Sequence, residues 1–332
     1  MVLHHLQLGP GRALELPDAA VAFCRLGYLG VDLFGFLSGF VIAHNYAERL
    51  ARSERGATAR YLWLRLVRIG PLHWIALGVL LAARLGLDDF VRHERLYRWD
   101  DFAQQALLVH GWGFGRLAWN LPSWTVSSEW LCYLLFPLAA PWLAATRDGA
   151  RAAAFAAVTF ALTAGVLAAA GHPEFNATAD AGMWRIAGEF AAGCWLQRAW
   201  AAGFGRGWPW ARIVPLLVAA AVACGALGLA AGVVACFGGI VFGLAHQRGR
   251  LARALARREA VFLGDASYAI YILHWPALRV LAWAAPVGGV TGAALWRELG
   301  LQLAAILAVA LAAHVLIENP ARRRLRGWVR PL

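Results

Sequence analysis

The chain has 332 residues, of which 61% are hydrophobic, and its mean hydropathy is +0.56. Soluble proteins are usually about 45–50% apolar, so this composition argues against a soluble globular protein. The net charge is +12 and all basic residues are Arg, but they lie between apolar stretches rather than on one soluble face, which disfavours nucleic-acid binding. We therefore expect an all-α integral membrane protein with a single domain over residues 1–332.

Nine stretches are long and apolar enough to form membrane-spanning helices, each of which needs roughly 20 residues. They are 27–45, 71–87, 125–145, 151–171, 182–201, 211–229, 230–246, 265–285 and 298–317. Met1–Leu8 is typical of the C-terminal end of a further helix, so we expect a polytopic bundle of about ten helices with the first one truncated. The connection 88–123 is predicted to form a short interfacial helix or lid.

The Arg residues predict the orientation of the bundle. Every second connection is rich in Arg, and together with the tail these connections hold 21 of the 31 basic residues. Cytoplasmic loops are enriched in Lys and Arg, so the C-terminus is expected in the cytoplasm with 321–332 as a basic tail.

Several of the predicted spans contain ionisable side chains, which in a membrane protein indicate function. Asp32 lies near the start of a span, where it could face an outer cavity or simply complement the helix dipole. Ser38 and Gly39 follow in the middle of that span, where small residues allow two helices to approach closely.

Arg65 and Arg68 are three positions apart and so share one helical face at the predicted cytoplasmic surface. Two guanidinium groups there could bind a phosphate-bearing ligand, or they could be ordinary positive-inside charge. Glu129 enters the membrane without a basic residue nearby in sequence. It should therefore be protonated or be paired with an Arg or His from another helix.

Arg185 and Glu189 are four positions apart in one span, which predicts a structural ion pair. Trp124 and Ser127 lie at the start of the span 125–145, and Tyr268 and His274 lie in the first half of the span 265–285. His4 and His5 stand at the start of the chain, and an imidazole in a membrane cavity could act as a general base. They have no third ligand nearby in sequence, so no metal site is predicted.

Five motifs, in order, resemble the acyltransferase-3 family of integral membrane acyltransferases. They are GYLGVDLFGFLSGFVIAHNY at 27–46, RLVRIGP at 65–71, LPSWTVSSEWLCYLLFP at 121–137, LGDASYAIYILHWP at 263–276 and IENPARR at 317–323. The family also has an Arg eleven positions before a His in its first helix. His5 best matches that His, with His4 as the alternative, and the Arg would fall before Met1.

The resemblance implies acyl-CoA as co-substrate, with acetyl-CoA expected, approached from the cytoplasm. It implies His5 and Glu129 as catalytic residues and Arg65 and Arg68 as contacts of the CoA phosphates. The remaining candidates would bind or shape the acceptor site: His4, Asp32, Ser38, Trp124, Ser127, Tyr268 and His274.

The sequence thus predicts an O-acyltransferase of the bacterial inner membrane that modifies a hydroxyl of a glycan, glycolipid or similar envelope or secreted acceptor. Membrane lipid is an expected partner and nucleic acid is not. Two alternatives stay open at this stage. A transporter of an anionic or acylated solute would also place charges inside a bundle, and a chain without its first helix could be a non-catalytic remnant.

Overall fold

The computed structural model describes residues 1–8, 18–52, 54–87, 94–284 and 292–328. Over these residues the protein is all-helical and contains no strand. The helices are α1 Val2–Leu8, α2 Asp18–Arg25, α3 Gly30–Ala51, α4 Ala57–Gly86, α5 Trp99–Ala106, α6 Trp124–Ala145, α7 Gly149–Ala169, α8 Gly182–Ala201, α9 Trp210–Ala226, α10 Ala230–Ala245, α11 Arg250–Leu255, α12 Arg258–Ala284, α13 Gly292–Ala313 and α14 Asn319–Arg326. A π-helical turn, His314–Glu318, joins α13 to α14.

Each of the nine predicted spans coincides with one long helix of the structure, which confirms the all-α prediction. Four helical stretches have both the length and the hydropathy needed to cross a bilayer: Phe23–Ala51, Ala57–Gly86, Gly149–Ala169 and Gly292–Arg326. The apolar helices α9 and α10 are shorter, and the remaining long helices carry more polar side chains.

Helix α8 lies at the centre of the bundle, where it packs against α3, α6 and α7. Its contact with α3 depends on a glycine from each helix. The close approach at Gly39 of α3 was predicted from the sequence, and Gly193 of α8 is its counterpart. A Cβ atom on Gly39 would lie 1.9 Å from the carbonyl oxygen of Phe190, and one on Gly193 would lie 2.2 Å from that of Phe36. The two backbones therefore touch directly, and no larger residue fits at either position.

The long connection between α4 and α6 forms the short helix α5, as predicted, while Asp88 and Asp89 lie outside the described residues. Asp100 and Asp101 occupy the first turn of α5, where negative charge is favourable. A hydrogen bond from Arg98 lowers the pKa of Asp100 to about 2. A buried polar contact ties this segment to the bundle: Nε2 of His73 on α4 lies 2.8 Å from the carbonyl oxygen of Gln105.

Helix α12 contains Pro276, and the hydrogen bond that this proline removes is replaced by a side chain from outside the helix. Proline has no N–H, so the carbonyl of Ile272, four residues earlier, loses its intrahelical donor. The side-chain amide of Asn120 donates to that carbonyl at 3.0 Å. This part of α12 is thereby attached to the start of α6, close to the polar residues described next.

Candidate active site

The site is built around a cavity of about 270 Å³ between α3, α4, α6, α8 and α12. Most of its wall is apolar, and a few convergent polar side chains interrupt that wall, which is the usual composition of a small-molecule site. The polar lining residues are Ser38, Arg65, Arg68, Thr125, Glu129, Tyr133, Ser267, Tyr268 and Tyr271. Five of the predicted site residues are therefore brought together here from four different helices: Ser38, Arg65, Arg68, Glu129 and Tyr268.

Glu129 projects from α6 into the cavity and is held there by hydroxyl groups. The hydroxyl of Tyr133, one turn later on α6, donates to its Oε1 at 2.6 Å, and the Ser38 hydroxyl on α3 donates to the same oxygen. Within the described residues no ion pair forms at Glu129, so the cationic partner that the sequence left open is not observed. One carboxylate oxygen is thus fixed by the protein, and Oε2 has no recorded partner.

Arg65 and Arg68 lie one helical turn apart on α4 and border the same cavity, as their spacing predicted. Arg65 donates to the hydroxyl of Tyr46 at 2.8 Å. Arg68 forms an ion pair with the buried Glu318 and lies over the ring of Tyr268, 5.4 Å from its centroid. Both guanidinium groups remain partly exposed, so each keeps donors for an anionic ligand.

The two N-terminal imidazoles take different positions. His5 stacks on His274 of α12, with Nδ1 of His5 2.8 Å from Nε2 of His274. His274 in turn places its Nδ1 2.6 Å from the carbonyl oxygen of Tyr271. His4 instead points Nδ1 at the carbonyl of Cys24 at 3.0 Å. Neither N-terminal His lines the cavity.

Successive turns of α12 connect the cavity to this histidine pair. Tyr268 lies beside Arg68, Tyr271 hydrogen-bonds Thr125 at 2.8 Å on the far wall, and His274 contacts His5. These three α12 residues are spaced by three positions, so they span about 9 Å along the helix axis. Helix α12 therefore runs from the arginine pair in the cavity to the His5–His274 pair outside it.

The structure confirms the predicted ion pair of Arg185 and Glu189 and adds Asp32 as a closer partner of the same guanidinium. The two side chains do approach, at 4.0 Å, but the guanidinium makes its bidentate contact with Asp32 on α3, at 2.6 and 2.7 Å. All three groups are almost fully buried. Asp32 is thus an ion-pair partner in the α3–α8 interface and does not line the cavity.

The two remaining predicted residues lie behind the cavity wall. Trp124 packs on Gly182, and the guanidinium of Arg185 lies 5.8 Å from its ring centroid. The Ser127 hydroxyl accepts from the Gly111 amide and donates to the Leu108 carbonyl, both at 2.8 Å. These contacts position the long connection between α4 and α6. In the described residues no group of three side chains suited to bind a metal was found.

Sequence analysis did not single out three residues that complete the site: Tyr133, Tyr271 and Glu318. Tyr133 carried a usable signal, because it stands four positions after Glu129 and therefore on the same helical face. Tyr271 and Glu318 carried no comparable local signal. Their contacts are with residues about 150 to 250 positions away, which local patterns do not reveal.

The comparisons with known proteins show the family of the chain. The family model described as an acyltransferase domain matches residues 1–317. The chain is 28% identical to acyltransferase MdmB of Streptomyces mycarofaciens over 374 aligned positions, which cover 96% of the chain and 86% of that relative. No solved structure matches the chain. With its apolar helix bundle and polar central cavity, the chain therefore belongs to the acyltransferase-3 family and is a membrane acyltransferase.

Proposed function

We propose that this protein transfers an acetyl group from acetyl-CoA to a hydroxyl of a glycan, glycolipid or similar acceptor at the bacterial inner membrane. The observation that carries the proposal is the chain of hydrogen bonds through His5 and His274, because it determines which ring nitrogen is a base. Arg65, Arg68 and Glu129 then provide the groups that hold the two substrates.

The tautomers follow from the partner of His274. A carbonyl oxygen only accepts, so Nδ1 of His274 carries the proton that it shares with Tyr271. In a neutral ring the Nε2 of His274 must then accept, and it accepts from Nδ1 of His5. This leaves the Nε2 of His5 with a free lone pair. The same chain stabilises the imidazolium that forms when His5 takes up a proton.

In a direct transfer the acceptor hydroxyl gives its proton to Nε2 of His5 while its oxygen attacks the thioester carbonyl. The new C–O bond replaces the C–S bond, and the sulfur leaves as the thiolate of CoA, which takes up the proton that His5 received from the acceptor. Base assistance of this kind typically contributes about 10²–10⁴-fold. The unpartnered Oε2 of Glu129 would accept a hydrogen bond from another hydroxyl of the acceptor.

In this proposal Arg65 and Arg68 bind the acyl donor. CoA carries phosphates, which guanidinium groups bind with charge-assisted hydrogen bonds. Arg65 and Arg68 lie towards the Arg-rich ends of the helices, which the positive-inside rule places in the cytoplasm, where acyl-CoA is made available. The path of about 9 Å along α12 would then bring the thioester from the arginine pair to His5.

The test uses purified protein in lipid vesicles with acetyl-labelled CoA and a panel of glycans and glycolipids. We expect label to become ester-linked to an acceptor, and His5→Ala to lower the rate by about 10²–10⁴-fold. His4→Ala is the matched control: it removes the neighbouring imidazole, which hydrogen-bonds the Cys24 carbonyl rather than His274, and should keep most activity.

Unchanged transfer by His5→Ala would contradict the assignment of the base, as would a loss confined to His4→Ala. Label transfer from a longer acyl-CoA but not from acetyl-CoA would contradict the proposed acyl group. Labelling of an amine rather than a hydroxyl would contradict the proposed acceptor class.

A further inference from the structure

A second cavity, unrelated to the first, opens at the Arg-rich end of the bundle. It has a volume of about 540 Å³ and lies between the end of α8, the start of α9 and the end of α10. We call it the tryptophan cleft, and its lining residues are Trp200, Ala201, Arg206, Gly207, Trp208, Pro209, Trp210, Ala211, Ala245, His246, Gln247 and Arg248. None of them lines the central cavity.

The inner wall of the cleft is a row of stacked rings. Trp208 stacks on Trp210 with centroids 5.5 Å apart, and Trp210 stacks on His246 at 5.1 Å. The indole N–H groups of Trp200 and Trp210 donate to backbone carbonyls, which fixes both side chains. Trp208 is half exposed and has no recorded hydrogen bond, so its N–H is available to a ligand.

The charge around the cleft has one sign. From residue 190 to residue 258 the chain contains eight Arg and neither Asp nor Glu. Arg206 and Arg248 lie on opposite connections, one after α8 and one after α10, and both line the cleft. Both are exposed, and no ion pair with either is recorded in the described part of the chain. Two uncompensated guanidinium groups thus face one space, which favours an anion.

The cleft also adjoins the lipid-facing surface of the bundle. Helix α9 begins at its edge and continues with exposed apolar side chains, of which Leu216 and Val222 are each 68% exposed. Tryptophan is enriched at membrane–water interfaces, and basic pockets between helices on the cytoplasmic side bind anionic lipid headgroups. An occupant of the cleft could therefore lay an acyl chain along α9 while its charged group stays between the arginines.

We propose that the tryptophan cleft binds the phosphate headgroup of an anionic phospholipid from the cytoplasmic leaflet. Arg206 and Arg248 bind the phosphate from two sides, and the exposed ring of Trp208 covers the glycerol backbone and donates its N–H to an ester oxygen. The acyl chains then lie against α9. This site is separate from the central cavity and does not depend on the acyl donor or acceptor proposed above.

Native mass spectrometry of the full chain, released from nanodiscs of phosphatidylglycerol and phosphatidylcholine, would count the retained lipids. We expect the wild type to retain phosphatidylglycerol selectively, and Arg206→Gln/Arg248→Gln to bind it about tenfold or more weakly, since each Arg near the surface contributes. The control is Arg253→Gln/Arg257→Gln, which removes two exposed charges from the same acid-free segment outside the cleft.

Equal loss of lipid in both double variants would show a diffuse surface effect and overturn the proposal. Equal retention of phosphatidylcholine and phosphatidylglycerol by the wild type would also overturn it. Inorganic phosphate and free CoA serve as soluble competitors, and we expect neither to displace the lipid. Displacement by CoA would assign the cleft to the acyl donor instead. Trp208→Leu, which keeps both arginines, should weaken binding severalfold if the ring contacts the lipid.

Discussion

At the scale of single residues, the charged groups inside this bundle are stabilised in three different ways. Asp32 and Arg185 form a bidentate pair with no water-exposed surface. Glu129 has no ion pair in the described contacts and is held by two hydroxyls instead. Glu189 is fully buried, and neither of its carboxyl oxygens has a recorded hydrogen-bond partner. Its proximity to Arg185 makes it a reserve partner for that guanidinium.

This arrangement predicts an asymmetry between the two carboxyl groups. Asp32→Asn should lower the free energy of unfolding by about 1.5–3 kcal/mol, because it removes charge-assisted hydrogen bonds to Arg185 while Glu189 remains beside the guanidinium. Glu189→Gln alone should cost about 1 kcal/mol or less, since it breaks no recorded hydrogen bond. Unfolding by sodium dodecyl sulfate in mixed micelles measures both.

The double variant Asp32→Asn/Glu189→Gln supplies the control. With both carboxylates removed, Arg185 has no anion within the contacts described here, so the combined loss should exceed the sum of the single losses. Additive losses, or a Glu189→Gln variant as unstable as Asp32→Asn, would contradict a reserve role for Glu189.

At the scale of helices, the active site depends on places where the regular backbone is interrupted. Gly39 and Gly193 bring α3 and α8 into backbone contact, which sets the position of Ser38 against Glu129. Pro276 frees the Ile272 carbonyl within the turn that carries His274. Asn120 restores the lost hydrogen bond, and in doing so it fixes α12 to the start of α6.

The coupling between Asn120 and Pro276 can be measured. Asn120→Ala leaves a buried carbonyl without a donor and should cost about 1–3 kcal/mol of unfolding free energy. In a Pro276→Ala background residue 276 has an N–H that can donate to the Ile272 carbonyl, so Asn120→Ala should cost markedly less there. Micelle unfolding of the four proteins gives this coupling, and equal costs in both backgrounds would show that Asn120 acts elsewhere.

At the scale of the whole molecule, the Arg-rich connections come together at one end of the bundle. Arg198, at the end of α8, contacts Glu48 on α3 and the carbonyl of Thr146, both at 2.8 Å. The indole of Trp63 on α4 donates to Leu325 in α14 at 2.9 Å. The connections after α3 and α6 and the C-terminal helix thus share one end, as alternating spans require.

The charge pattern predicts that this end is cytoplasmic. In a Cys-free variant, Arg147→Cys and Arg326→Cys should react with a membrane-impermeant maleimide only after the cells are lysed. Glu174→Cys, in the connection between α7 and α8, should react in spheroplasts with intact membranes. All three should react in detergent, which controls for accessibility, and the opposite pattern would invert the proposed orientation and with it the side from which the donor enters.

The sequence by itself determined the class of the protein and the course of its helices. Hydropathy and helix length act over about 20 residues, so the nine long helices could be predicted from local composition. The ordered motifs also identified the family. The spacing of Arg65 and Arg68 predicted that both side chains lie on the same face of α4.

Only the tertiary structure decided which polar groups meet. His5 contacts His274, which is 269 positions away in sequence. Arg185 makes its bidentate contact with Asp32, 153 positions away, although Glu189 is only four positions away in sequence. Such choices depend on how closely the helices approach and which backbone groups are free, which the glycine contacts and Pro276 set here. A buried polar group takes whichever partner the packing brings within hydrogen-bond distance, and its neighbours in sequence do not determine that partner.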